Sequence, residues 1–167
     1  MSVLPILLWP DRRLSEVCAP VGIIDDEVTK LADDMLQTMY AAPGRGLAAP
    51  QVGALKRLFV MDATWKDAEP TPMVFVDPVL TWASEARGVV SEGCLSIPGV
   101  ALDVERPSQV GVRWTDLEGH QQKAVFCGFE AVCIQHEMDH LDGKVTFDRV
   151  DDETRARVLK DYNEGVA

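Results

Sequence analysis

The sequence predicts an α+β fold in which antiparallel β-sheets pack around a central helix, with further helices near the N-terminus and the C-terminus. Three observations support this class. Apolar residues recur at helical spacing towards both ends, whereas short runs of β-favouring residues fill the middle. Segment 129–141 is apolar nearly all round, as expected of a buried helix. The 167 residues and 47% hydrophobic content suit a single domain, 1–167.

The three helices are predicted from their caps and apolar faces. The first begins at Asp25 or Asp26 and ends before the turn at 43–44. The last begins at Asp151 or Asp152 and runs to about 163. Their packing sides carry Val28, Leu31, Met35 and Met39 in the first helix, and Val158, Leu159 and Tyr162 in the last. The central helix, 129–141, is followed by Gly143, where a C′ glycine belongs.

The strands are predicted from short runs of β-branched and aromatic residues bounded by turn residues. A hairpin connection is expected at 117–119, where a glycine ends a polar turn. The predicted strands are 57–62, 73–76, 100–105, 109–115 and 120–127. Taken alone, 92–94 is typical of a loop with a buried thiol, and 44–51 of a turn after a helix.

Residues 136–140 read HEMDH, which predicts a metal site with its own proton carrier. On a helix, His136 and His140 project from one face a single turn apart. Both imidazoles can then reach one divalent ion. Such an ion lowers the pKa of its water, while Glu137 accepts a proton and later delivers it.

A third metal ligand is needed, because catalytic sites usually have three protein ligands and one open position. The metzincin-type pattern would place a histidine where the chain has Thr146, whose hydroxyl is a poor ligand. A thermolysin-like metalloendopeptidase would use a downstream acid, for which Glu164 is the candidate, although it is the fourth residue from the end. Cys94 is the remaining candidate, and its glycine neighbour would let a metal approach closely.

Three segments resemble the signature motifs of the peptide deformylases. They are 44–51 (GRGLAAPQ), 92–96 (EGCLS) and 135–140 (QHEMDH), and they occur in the family's order. The resemblance extends over nearly the whole chain, including the opening 4–14 (LPILLWPDRRL), and the absence of long insertions is similar to the compact bacterial form.

The resemblance implies a metal-dependent amide hydrolase that removes the N-terminal formyl group from formyl-methionyl polypeptides and releases formate. The implied metal ligands are Cys94, His136 and His140. Glu137 would be the general base and acid, and an oxyanion would be stabilised by the Leu95 N–H and the Gln51 side-chain amide. The implied substrate-binding residues are Arg45, Gly46, Val90, Glu92, Leu95, Val132, Cys133 and His136. Cys133 would pack and not ligate, and Cys18 and Cys127 are expected to pack likewise.

Two positions depart from the family pattern at the mouth of the methionine pocket. Arg45 stands where the family more often has an apolar or small residue, and Ala101 where an arginine or aromatic side chain often borders the peptide. We expect weaker binding of short peptides, and a bond from the Arg45 guanidinium to a substrate carbonyl. The departures also favour an alternative, a divergent deformylase-like paralogue with weak activity or another N-formyl substrate.

The cofactor is expected to be one divalent metal ion. Cysteine and histidine suit zinc, ferrous iron, cobalt and nickel alike. The resemblance implies Fe²⁺, so zinc, nickel or cobalt is expected only in some preparations. A thiolate-ligated ferrous centre should be vulnerable to oxygen at Cys94.

Composition restricts the partners and the compartment. Four cysteines without a disulfide-scaffold spacing, and an N-terminus without a charged region before its apolar run, predict a reduced, cytoplasmic protein. No apolar stretch approaches the ~20 residues that span a bilayer. The formal net charge of −11 argues against direct nucleic-acid binding. The tail 151–167 has five acidic and three basic residues, so docking on the ribosome is not supported.

Overall fold

The computed structural model describes residues 2–166. Within them lie three α-helices: α1 Asp26–Ala41, α2 Gly128–Leu141 and α3 Asp152–Val166. The strands are β1 Gly46–Ala48, β2 Leu58–Met61, β3 Met73–Ala83, β4 Arg87–Cys94, β5 Ile97–Pro107, β6 Gln109–Thr115 and β7 Gln121–Cys127. Short 3₁₀ turns occupy Arg12–Ser15, Ala49–Val52 and Thr146–Arg149. In this part of the chain no helix is both long and apolar enough to cross a membrane.

The strands form two antiparallel sheets. One has five strands in the order β1-β2-β3-β6-β7, and the other pairs β4 with β5. Helix α2 lies against β1, β2, β6 and β7 of the larger sheet, and α3 packs against β5. The predicted α+β class, with antiparallel sheets around a central helix, is confirmed.

The core between α2 and the larger sheet is built on aromatic side chains. Phe75 stacks on Phe59 at a centroid distance of 4.5 Å and contacts Trp114 at 4.7 Å. Ile134 and Leu141 of α2 are fully buried in the same cluster. Because α2 is covered on most sides, side chains on it are held in fixed positions.

The helix ends follow the predicted capping chemistry. The Asp25 carboxylate accepts a hydrogen bond from the Val28 N–H at 2.9 Å, which starts α1. Gly143 follows α2 with φ +73°, and a Cβ there would lie 2.7 Å from the Ser15 carbonyl oxygen. Only glycine fits both the left-handed backbone and this contact.

Four expectations from the sequence need correction. Segment 92–94 is not a loop, because it ends strand β4, and 46–48 within the expected turn forms β1. Strand β3 continues to Ala83, well beyond the predicted end at 76. The expectation that Cys127 packs in the core is wrong: it is exposed, because strand alternation turns Phe126 inward. Cys18 is buried as expected.

Candidate active site

Three side chains that could hold a metal ion converge beside α2. They are Cys94, His136 and His140, and their candidate ligand atoms all lie within 4.8 Å of one another. The Cys94 Sγ lies 3.4 Å from the His140 Nε2. One thiol and two imidazoles directed at a common point are a donor set that fits zinc, ferrous iron or a similar divalent ion.

Two different elements bring these donors together. The histidines are neighbours on one face of α2, four residues apart, with ring centroids separated by 5.0 Å. Cys94 ends β4, where the pairing with β5 shifts register between Gly93 and Cys94. Such irregularities redirect a side chain at the end of a strand.

The electrostatic surroundings favour a thiolate at Cys94. Burial by itself raises the pKa of a thiol, but the adjacent His140 and His136 imidazoles outweigh it. The pKa of Cys94 is therefore held well below its ordinary value. A thiolate is the form that ligates a metal.

A buried chain of ion pairs orients His136. Its Nδ1 lies 3.0 Å from the Glu92 carboxylate, which accepts two hydrogen bonds from Arg106, at 2.7 and 2.9 Å. Arg106 also donates to Asp139 at 2.9 Å, and Asp139 accepts from Arg149 at 2.9 Å. With Nδ1 engaged by a carboxylate, the other ring nitrogen of His136 is directed towards Cys94.

The sequence indicated only some of the residues in this series of buried ion pairs. Asp139, within the HEMDH motif, pairs with two arginines. Glu92, which the resemblance places at the pocket, lines the cavity, and its carboxylate contacts the Arg106 and His136 side chains. Arg106 and Arg149 were not singled out. The signal available was Asp139 in an apolar helix, since a buried acid requires a cation.

Glu137 lies against β1. A Cβ added to Gly46 would stand 2.6 Å from the Glu137 Oε2 and 2.7 Å from the Cys133 Sγ. Burial raises the pKa of Glu137, and the two nearby imidazoles oppose that shift without cancelling it. A carboxyl group with a raised pKa is suited to accept a proton and return it near neutral pH. Cys133 is buried, and its burial beside Glu137 raises its pKa well above the ordinary value, which suits packing and not ligation.

Gln51 is held close to Cys94. Its Oε1 accepts a hydrogen bond from the Ala48 N–H at 2.9 Å, and its Nε2 donates to the Ser96 hydroxyl at 3.0 Å. The same Nε2 lies 3.7 Å from the Cys94 Sγ. The N-terminal segment secures both motifs, because the N–H of residue 7 donates to the Gln51 carbonyl and that of residue 9 to the Ser96 carbonyl.

These groups open onto a cavity of about 620 Å³. Ala101 is not among the residues that line it, and His140 lies behind the lining. Glu164 is exposed on α3 and belongs to neither cluster of possible ligands in the part of the chain that the structure describes. The lining includes most of the predicted site residues: Arg45, Gly46, Gln51, Val90, Glu92, Cys94, Leu95, Val132, Cys133, His136 and Glu137.

Arg45 is already engaged at the cavity mouth. Its guanidinium donates to the Ala63 carbonyl at 2.9 Å and to the Asp67 carboxylate at 2.8 Å. It also lies 5.2 Å from the centre of the Phe129 ring. These contacts fix the side chain across three segments.

The family follows from comparison with known proteins. The family model described as polypeptide deformylase matches residues 3–156. The chain belongs to this family. A peptide deformylase from Rhizobium meliloti (strain 1021) is 44% identical over 97% of this chain and 93% of its own length. A peptide deformylase from Maricaulis maris (strain MCS10) is 46% identical over 96% of this chain and 92% of its own length.

Solved deformylase structures have the same architecture. The peptide deformylase from Synechococcus elongatus in complex with actinonin superposes with a TM-score of 0.91 at 43% identity, over 96% of this chain and 88% of that one. The peptide deformylase from Ehrlichia chaffeensis gives a TM-score of 0.91 at 34% identity, over 98% of this chain and 97% of that one. As a deformylase, the chain is an enzyme, a hydrolase that removes a formyl group.

Proposed function

We propose that the chain removes the N-terminal formyl group from formyl-methionyl polypeptides and releases formate. The observation that carries the proposal is the convergence of Cys94, His136 and His140 beside Glu137, at a cavity, in a deformylase fold. The reaction is hydrolysis of one amide bond, in which water supplies the new oxygen of formate and the peptide leaves as a free amine.

Cys94, His136 and His140 are proposed to hold one divalent metal ion, and Fe²⁺ is expected. When bound, such an ion acts as a Lewis acid that makes hydroxide available near neutral pH. The lowered pKa of Cys94 supports its role, because the thiolate is the form of cysteine that binds a metal. Zinc, nickel or cobalt would suit the same donors in some preparations.

Glu137 is proposed to move the proton. Its carboxylate takes a proton from the attacking water and returns it to the nitrogen of the departing peptide. Burial favours this role, because the raised pKa lets the carboxyl group hold a proton between the two steps. A side chain at position 46 would collide with the Glu137 Oε2, so the glycine allows the carboxylate to keep this position.

Gln51 and Leu95 are proposed to stabilise the negative charge that develops on the formyl oxygen. The Gln51 amide is fixed through its Oε1, so that its Nε2 faces Cys94. Leu95 follows Cys94 directly and lines the cavity, and its backbone N–H would be the second donor. Donors held in place before the reaction need no rearrangement as charge appears.

The methionine side chain is proposed to enter the cavity between Gly46, Val90, Leu95, Val132 and Cys133, with Glu92 and His136 at its base. The peptide backbone would add to the open edge of β1. This edge is available because β1 is the outer strand of the five-stranded sheet. Main-chain hydrogen bonds to an edge strand are largely independent of peptide sequence, which suits a processing enzyme.

Formate release tests the proposal. Protein loaded anaerobically with ferrous iron should release formate from formyl-Met-Ala-Ser, and chelated protein should not until iron is restored. Failure of the fully loaded protein to turn over formyl-Met peptides would overturn the proposal.

A second candidate is a divergent deformylase with another N-formyl substrate. It is favoured by Arg45, which departs from the family pattern and lines the cavity. Ala101, the other departure, is not among the residues that line the cavity. Profiling formyl-Met against other formylated peptides separates the two. A higher kcat/KM for another N-formyl group would favour the divergent enzyme.

The surroundings of the enzyme are also proposed from its sequence. We expect one domain in the cytoplasm, acting on nascent chains without binding nucleic acid. Five acidic against three basic residues in 151–167 do not support ribosome docking. Absent or salt-insensitive association in a ribosome pelleting assay is the expected result, and strong salt-sensitive association would contradict it.

A further inference from the structure

The mouth of the active-site cavity has a charge pattern opposite to that of the whole chain. Among the described residues, Arg45 and Lys66 are the cationic side chains that line the cavity with an exposed surface. The acids that line it, Glu92 and Glu137, are buried. The formal net charge of the chain is −11. The exposed charged side chains of the cavity lining are therefore basic, on an acidic molecule.

Lys66 lies on a well-anchored loop between β2 and β3. The buried Asp62 carboxylate accepts hydrogen bonds from the backbone N–H groups of Trp65 and Thr71, both at 3.1 Å. The Trp65 indole N–H donates to the Gly44 carbonyl at 2.9 Å. These bonds attach the loop to motif 44–51, so the backbone of Lys66 has a defined position at the mouth.

The two cations differ in what they already contact. Arg45 donates to the Ala63 carbonyl and pairs with Asp67 at 2.8 Å, so its charge is partly offset. Lys66 has no acidic partner within 4.0 Å in the part of the chain described, and its Nζ lies 5.6 Å from the Trp65 ring centre. Lys66 is therefore the cation available to a bound peptide.

We propose that Lys66 is a specificity-determining residue that favours formylated peptides with an acidic side chain at one of the two positions after methionine. The proposal rests on the proposed function, because a peptide held in the cavity leaves it past this mouth. The partly exposed Phe129 (47%) and Val90 (42%) offer apolar contacts there. The carboxylate of a glutamate would then pair with the Lys66 ammonium.

Amidated peptides test the proposal. In formyl-Met-X-Ala-amide and formyl-Met-Ala-X-amide, the only carboxylate is the side chain of X, so the C-terminus cannot imitate it. With iron-loaded protein, kcat/KM for glutamate over lysine at X should be roughly two- to fivefold higher at one position, the range of an exposed ion pair. The preference should appear mainly in KM and shrink as salt is added.

Substitutions assign the preference to Lys66. Lys66→Ala should abolish the glutamate-to-lysine ratio, and Lys66→Glu should invert it. The matched control Lys123→Glu makes the same charge change at an exposed position of β7 outside the cavity lining, and should keep the preference. The ratio cancels any general change in activity.

Two results would overturn the inference. One is an equal kcat/KM for all X at both positions, with formyl-Met peptides turned over normally. The other is a preference that persists in Lys66→Glu. Both leave the proposed function intact, whereas absence of turnover with every formyl peptide would overturn the proposed function as well.

Discussion

At the scale of single residues, Gly46 controls the space around the proposed proton carrier. A methyl group there would lie 2.6 Å from the Glu137 Oε2 and 2.7 Å from the Cys133 Sγ. We predict that Gly46→Ala displaces Glu137 and lowers kcat/KM for formyl-Met peptides by roughly a hundredfold, the cost of a misplacement of about 1 Å. Formate release at equal metal content measures this.

Gly88→Ala is the matched control. Gly88 lies on β4, and a Cβ there meets nothing within 4 Å. It should leave formate release nearly unchanged. An active Gly46→Ala protein would show that the contact between β1 and Glu137 is not critical.

Glu92 provides a second prediction, concerning the orientation of His136. Its carboxylate joins the His136 Nδ1 to the buried Arg106. Removing it in Glu92→Ala leaves both groups without that partner, and we expect metal affinity to fall roughly 10- to 100-fold. Glu92→Gln, which keeps an acceptor but loses the charge, should lie between. Competition with a chelator measures the metal affinity of the wild type and the two variants. Equal affinities in all three would contradict the proposed positioning of His136 by Glu92.

The cluster of candidate metal ligands could be predicted from the sequence, whereas the charged residues that contact it could not. His136, Glu137 and His140 lie within about one helical turn of each other, so their relative positions follow from the local sequence alone. Arg106 lies 33 residues before Asp139 and 14 after Glu92. Only the folded chain brings those charges together, and no periodicity in the sequence reports such a pairing.

At the scale of elements, the loop between β2 and β3 depends on Asp62. Burial raises the pKa of this carboxyl group, but hydrogen bonds from Tyr40 and three backbone N–H groups outweigh it, so the folded pKa lies below the ordinary 3.8. A depressed pKa stabilises the fold above the unfolded value, and this contribution is lost as the pH falls through the folded one.

The prediction is that Asp62→Asn lowers the free energy of unfolding at neutral pH. The difference in the free energy of unfolding between wild type and Asp62→Asn should become smaller as the pH falls below 3.8. Denaturant titrations of chelated protein across that range measure the gap and avoid acid loss of metal. A gap independent of pH would contradict a role for the charged carboxylate.

Strands β4 and β1 show why some elements cannot be predicted from the sequence. Strand β4, Arg87–Cys94, contains Gly88 and Gly93, which disfavour strands in isolation, and it is defined by its pairing with β5. Strand β1 has only three residues and exists because β2 pairs with it. By contrast, β6 was predicted at its observed bounds, because its apolar alternation is local.

At the scale of the whole molecule, the proposed metal site joins the small sheet to the central helix. Cys94 comes from β4, and His136 and His140 from α2. An ion held by both elements stabilises the folded state by mass action, by about 2.7 kcal/mol at a free concentration of 100 times Kd. We predict that chelation lowers the Tm of wild type, and that Cys94→Ala has a low Tm that chelation no longer changes. An unchanged wild-type Tm would contradict this.

The fold class was predictable because helical and strand periodicities occupy separate parts of the chain. The strand order β1-β2-β3-β6-β7 was not predictable, since it depends on which strands pair once the chain has folded. The three motifs could be expected to lie together, but the contacts of Arg45 with Ala63, Asp67 and Phe129 appear only in the structure.

Glu137 is proposed to carry the proton in a metal-assisted deformylation. The most direct test compares formate release from formyl-Met-Ala-Ser by anaerobic, iron-loaded wild type and Glu137→Ala, with equal metal content verified in each. We predict turnover by the wild type and a loss of at least ~100-fold in the variant, the scale of general acid–base catalysis. Equal turnover by both proteins would contradict the account.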